Sequence, residues 1–227
     1  MVQKAIPKLA IFDTFKTKGL ELTGEAERQR SILFTLATKT NPAEKTRTAI
    51  SQTIAEKHGV IWKNIYSGIF RDLDEILIPL GFVEEEGRLP LKRGPKALQE
   101  KGIPYYHLTK QGLLVALSIK EVKNKRQILK KFFEQGTPEE KEFATPIIRL
   151  SEISPSFTFS IFERYVKSYC EGRLGQLLPF DISNLRSLDD EMINAYKEFL
   201  EGIIKLSKQE KQATLDFLKI MTKSAKH

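Results

Sequence analysis

The stretch "RLPLKRGPKALQEKGIPYYHLTKQG", residues 88–112, decides how the chain is read. Its first fifteen positions hold five cations (Arg88, Lys92, Arg93, Lys96 and Lys101) and four Gly or Pro residues, and Tyr105-Tyr106-His107-Leu108-Thr109 follows. Gly and Pro punctuate regular structure, whereas an aromatic-rich run suits a strand. Phe82-Val83-Glu84-Glu85 reads as the outgoing strand and Tyr105 to Leu108 as the returning one, joined by a basic loop at 86–103. Strand alternation turns one tyrosine inward and leaves the other exposed. Loops of this length are uncommon unless functional or disordered, and the loop's net charge of +3 favours function.

Working outward, Ile32, Leu33, Leu36 and Ala37 recur with helical spacing from Glu25, and Thr40-Asn41-Pro42 ends that helix. A second helix is expected from Ala43 to His58, with Ala49, Ile50, Thr53 and Ile54 on one side and Gly59 as its left-handed stop. The third carries an inward stripe of Ile65, Ile69, Leu73, Ile76 and Leu77 and ends at Pro79 and Gly81. Thr109 is placed to cap a fourth helix bearing Leu113, Leu114 and Leu117. Three helices, a hairpin and a following helix describe a winged helix-turn-helix with the basic loop as its wing. The expected fold is mainly α with a small β-hairpin wing, followed by an all-α region.

The chain resembles the winged helix-turn-helix transcription regulators of prokaryotes, in the broad sense that includes the MarR-like and PadR-like groups. "ISQTIAEKHGV" (51–60 with its preceding Ile50) is similar to their second helix and turn, "IFRDLDEILIPLGFVEE" to the end of their recognition helix entering the wing, and "YYHLTKQG" to the second wing strand and next helix. The resemblance covers about residues 25–120 and implies a protein that reads double-stranded DNA. The wing is longer than is usual there, and Asp72, Asp74 and Glu75 make the late recognition helix acidic.

If the third helix buries its apolar stripe, Lys63, Asn64, Ser67 and Arg71 point outward. Arg pairs bidentately with guanine and Asn with adenine, while Lys and Ser serve phosphates or either base. An ordinary solvated face is the alternative. The wing cations Arg88, Lys92, Arg93, Lys96 and Lys101 suit phosphates, which need no fixed geometry. Trp62 reads as a packing residue rather than a base-stacking platform. Gly68, costly in mid-helix, fits either a close approach to another surface or packing on the second helix.

The 227 residues carry a net charge of +8, with +6 in residues 1–120 and +2 in 121–227, which favours a polyanionic partner. A single cysteine, Cys170, excludes a disulfide framework, and His58, His107 and His227 have no metal-ligand spacing. The expectation is therefore no enzyme, no metal and no cofactor. No apolar run reaches membrane-spanning length, and Pro7 and Lys8 interrupt the N-terminus, so a cytoplasmic location is expected.

Residues 1–24 are expected as an N-terminal arm, 25–120 as the winged-helix domain and 121–227 as a helical domain. In the last, Thr137-Pro138-Glu139-Glu140 marks one helix start and Pro146 should stop or kink it. Phe157, Ile161, Tyr165 and Tyr169 mark another helix, and Ser187 and Ser207 begin two more. These helices suit a homodimer interface, with a monomeric buttress or a docking site as alternatives. The competing reading of the whole chain is a winged-helix adaptor for protein or RNA.

Overall fold

The computed structural model describes residues 7–59, 62–90, 102–181, 184 and 191–223, with backbone alone for 62–64, 193 and 220–223. It is mainly helical with one two-stranded antiparallel hairpin. The contacts divide it into compact units at Met1–Asp181 and Ile182–His227.

Helix α1, Gly24–Thr38, starts where the Thr23 hydroxyl accepts from Ala26 N. A 3-10 turn, Pro42–Lys45, then precedes α2, Arg47–His58, so the second helix starts later than Ala43. Thr46 is extended, because it pairs with Tyr105 as an isolated β-bridge, and its hydroxyl then caps α2 through Ala49 N. Gly59, at φ 63°, ends α2 in the left-handed conformation expected of it. Helix α3, Trp62–Arg71, continues into a π-helical segment, Asp72–Leu77, in which Ile78 N bonds to Leu73 O five residues back. Ile69, Leu73 and Leu77 are fully buried, whereas Ile65 and Ile76 are half-buried.

The wing strands are longer than expected, β1 at Val83–Leu89 and β2 at Ile103–Leu108, with a bulge between Glu85 and Gly87. Tyr106 is the inward tyrosine, 2% exposed. Tyr105 is half-buried rather than exposed, because it pairs with Gly87 on one side and Thr46 on the other. Thr109 joins the wing to α4, Lys110–Ser118: its N–H donates to Phe82 O, its hydroxyl donates to Gly81 O and accepts from Gly112 N. A methyl at Gly112 would overlap the Phe82 carbonyl oxygen, so the Thr-x-x-Gly spacing serves both the cap and the close packing of α4 on the wing base.

Gly112 to Ser118 are all buried, since α4 lies against α1 on one side and α7 on another. Helices α5, Lys125–Glu134, α6, Pro138–Ile153, and α7, Pro155–Cys170, therefore belong to the same compact unit, which extends past the boundary expected after Lys120. The expected N-terminal arm also joins it. Leu9, Ala10 and Ile11 are buried, and Ala10 N donates to the wholly buried Gln29 side chain at 2.8 Å. Helix α6 runs through Pro146 to Ile153 instead of stopping, and the residue whose carbonyl loses its partner, Glu142, is exposed to water. The buried residues of α7 include Thr158, Phe162, Tyr165 and Val166; of the expected four, Tyr165 is buried while Phe157, Ile161 and Tyr169 are half-buried, and Phe162 stacks on Phe180 at 5.4 Å.

Glu140 ties these helices together. It completes the Thr137 capping box, pairs with Lys110 at the start of α4, and accepts from Phe180 N at 2.8 Å. Burial alone would raise its pKa, but the bonds from Lys110, Thr137 N and Phe180 N outweigh that and hold the carboxyl below its ordinary range. In the smaller unit, α8, Glu191–Lys205, and α9, Lys208–Lys223, are joined where Ser207 and Glu210 form the expected reciprocal cap. Ser187 lies outside the described residues. Among the described residues, no helix is long and apolar enough to cross a membrane.

A depressed folded-state pKa stabilises above the unfolded value, and that contribution is lost as pH falls through the folded one. Glu140→Gln should thus cost about 1–3 kcal/mol at neutral pH. Denaturant titrations at several pH values should show the gap from the native chain shrinking below about pH 4.3.

Candidate nucleic-acid interface

The seat of α3 is set by a buried charge. Asp72 is fully buried, and Arg28 of α1 holds it through Nε–Oδ2 at 2.6 Å and Nη2–Oδ1 at 3.4 Å. Of the three acids that make the late helix acidic, Asp72 turns toward α1, where the segment widens into its π-helical form. Gly68, one turn earlier, makes room for the arginine. A methyl there would lie 2.9 Å from Arg28 Nε and 3.2 Å from its Cδ. The close approach expected of Gly68 thus exists, but to α1 rather than to α2 or an external surface.

Asp74 is also engaged. It pairs with Arg47 at the start of α2, and the Arg47 guanidinium lies 5.0 Å from the Phe70 ring centre and 5.3 Å from that of Tyr106. One side chain thereby joins α2, α3 and the wing. Nothing in its sequence position marks Arg47 for this task, since a first-turn arginine on a helix is ordinarily a solvated residue.

Ser67 and Arg71 lie four residues apart on α3 and both are exposed. Arg71 makes one long contact, 3.4 Å to Asp72 Oδ1, and is 53% exposed, so it remains accessible despite the carboxylates beside it. Helical spacing would also let Arg71 pair with Asp74 or Glu75, but Asp74 goes to Arg47 instead. The cavity on the flank of Arg71, about 800 Å³, sets Lys8 and Arg71 against Asp13, Glu25, Asp74 and Glu75, so that flank is net acidic. Lys63 and Asn64 occupy the first turn of α3, and their side chains, like that of Trp62, lie outside the described residues. On α2, Thr48 and Gln52 are exposed on a shared side and were not singled out from sequence.

The described part of the wing is net acidic, with Glu84, Glu85 and Glu86 against Arg88. Arg88 is gripped by Glu85 at 2.6 and 3.0 Å, Glu86 pairs with Lys45 at 3.3 Å, and Glu84 lies 3.1 Å from His107. Arg88 is therefore not the free phosphate partner it was expected to be. Lys92, Arg93, Lys96 and Lys101 lie outside the described residues. No group of three or more metal-ligating side chains occurs among the described residues. Burial pushes the Cys170 thiol up to about 12, with Asp13 and Glu171 adding to the rise, so it is protonated at neutral pH.

Comparison with family models, with curated proteins and with solved structures finds no match for the chain.

Alanine at a mid-helix glycine ordinarily stabilises by about 1 kcal/mol. Here Gly68→Ala should lower stability, because it displaces Arg28 from a buried carboxylate. In an Arg28→Ala/Asp72→Asn background the same change should stabilise by about 1 kcal/mol. Denaturant midpoints of the four proteins measure both effects.

Proposed function

We propose that the protein binds double-stranded DNA, with α3 in the major groove and the basic wing on phosphates or in the minor groove, and that it regulates transcription from a cytoplasmic location. The observation that carries this reading is the seating of α3. A pair from α1 to the buried Asp72 and a half-exposed pair from α2 to Asp74 engage both acids, leaving Ser67 and Arg71 displayed on α3, with the exposed Glu75 one turn beyond, beside a hairpin whose connecting sequence holds Lys92, Arg93, Lys96 and Lys101. A helix of this kind fits the major groove, and cations beside it supply phosphate affinity. The net acidic charge of β1, whose Arg88 is already paired as is Lys45 beside it, favours a second reading, an adaptor for a protein or RNA partner.

The proposed assembly is a homodimer through the C-terminal unit. Within it Phe199, Ile204 and Phe217 are 50%, 73% and 60% exposed. A segment of this size buries too little apolar surface to be stable alone, and a second copy supplies the missing cover. Sedimentation of the full chain should give a dimer, and removal of residues 182–227 a monomer; a full chain that stays monomeric well above micromolar concentration contradicts the assembly.

Duplex binding is tested by fluorescence anisotropy across a salt series. Lys92→Ala/Arg93→Ala/Lys96→Ala should weaken binding to all duplexes and flatten the log–log salt slope by roughly 0.9 per lost contact. Glu85→Gln should do the reverse, because it releases Arg88. Arg71→Ala should cost about 1–3 kcal/mol on a selected site and less on random duplex. A chain without salt-dependent duplex binding leaves the adaptor reading in its place.

A further inference from the structure

A basic cavity of about 680 Å³ opens where the connection after α4 enters α5 and meets the start of α7. Lys120, Lys123, Lys125 and Arg126 line it, against a single lining carboxylate, Glu163, which lies 3.5 Å from Lys120. Of the carboxylates nearby, Glu121 is committed to Arg30 at 2.8 and 3.0 Å, and Glu152, which also interacts with Arg126, to Arg149 at 2.7 Å. Lys125 is drawn over the face of Phe159 at 5.3 Å, which fixes its ammonium against the cavity wall.

Two helix starts converge on this space. Neither Asn124 before α5 nor Ser154 before α7 makes a side-chain capping bond, and neither helix has an acidic residue in its first turn. A helix N-terminus carries roughly half a positive charge, which favours anions there and disfavours cations. Lys125 and Arg126 stand in that first turn of α5, with Lys123 just before it. With Lys120 paired to Glu163, Lys123, Lys125 and Arg126 remain beside two positive helix ends, where an anion would relieve their repulsion, and burial pushes the Lys125 ammonium toward release of its proton, partly offset by Glu163 and Glu121.

We propose that this cavity is a binding site for a phosphoryl-bearing ligand, whether a small phosphorylated molecule or a phosphate of a nucleic-acid backbone. A multiply charged phosphoryl group has the charge and acceptor oxygens to bridge Lys123, Lys125 and Arg126 while accepting N–H groups of the α5 start. The lining contains no residue of α3, β1 or β2, so the site stands without the proposed duplex reading.

The test uses the full chain and sodium tripolyphosphate, followed by titration calorimetry. Lys123 and Arg126 are exposed, so Lys123→Gln/Arg126→Gln should fold normally. Saturable binding is expected, weakened at least about tenfold in that variant by loss of two charged hydrogen-bond donors. Lys16→Gln/Lys18→Gln, which removes exposed lysines elsewhere, should bind as the native chain does. If duplex DNA displaces tripolyphosphate and the cavity variant also loses duplex affinity, the phosphate belongs to nucleic acid. If duplex leaves tripolyphosphate bound, the ligand is a small phosphorylated molecule; either result supports the site. Absence of saturable binding, or equal binding by native chain and cavity variant, overturns it.

Discussion

The pair between Arg28 and Asp72 governs the exposed face of α3. A carboxylate with no solvent exposure is costly unless it is paired and hydrogen-bonded. Arg28 supplies both, and it reaches Asp72 only across the bare backbone of Gly68. The glycine, the π-helical turn and the arginine are therefore parts of one arrangement, in which α3 is docked to α1 by charge as well as by Ile69, Leu73 and Leu77. Arg47 performs the complementary task from α2, holding Asp74 while stacking on Phe70 and Tyr106. These pairs engage two of the three acids, and the outward side of the helix keeps Ser67 and Arg71, with Glu75 exposed one turn beyond.

A second buried carboxylate, Glu140, links the wing end of the molecule to its helical flank. Its partners come from the start of α4, the cap of α6 and the segment after α7. With Gly112 to Ser118 of α4 buried between α1 and α7, wing and flank share one core. Only residues from 182 onward form a separate compact unit.

Much of the architecture was legible because it rests on local rules. The order of helices and hairpin, the Thr109 and Thr137 caps, the inward turn of one of the two tyrosines and the left-handed Gly59 follow from periodicity and capping chemistry. The errors occur where tertiary charge overrides those rules. Asp72 reads as a solvated acid because its partner lies 44 positions away, and Arg28 carries no mark of its role. Arg88 reads as a free cation because the grip of Glu85 depends on a bulge that no local pattern announces. Leu9 to Ile11 were passed over because so short an apolar run has no readable period, yet the core covers them. The cations of 120–126 drew no attention because the meeting of α5 with α7 is a long-range event.

The central claim is that Arg28 and Asp72 act as one unit in seating α3. A double-mutant cycle with Arg28→Ala, Asp72→Asn and their combination, followed by denaturant unfolding, measures it directly. Arg28→Ala should be the more damaging single change, because it strands a buried carboxylate. The combined variant should be more stable than the sum of the single losses predicts, by about 1–3 kcal/mol. Losses that simply add would contradict the account, since they would mean that α3 is held by its apolar stripe alone.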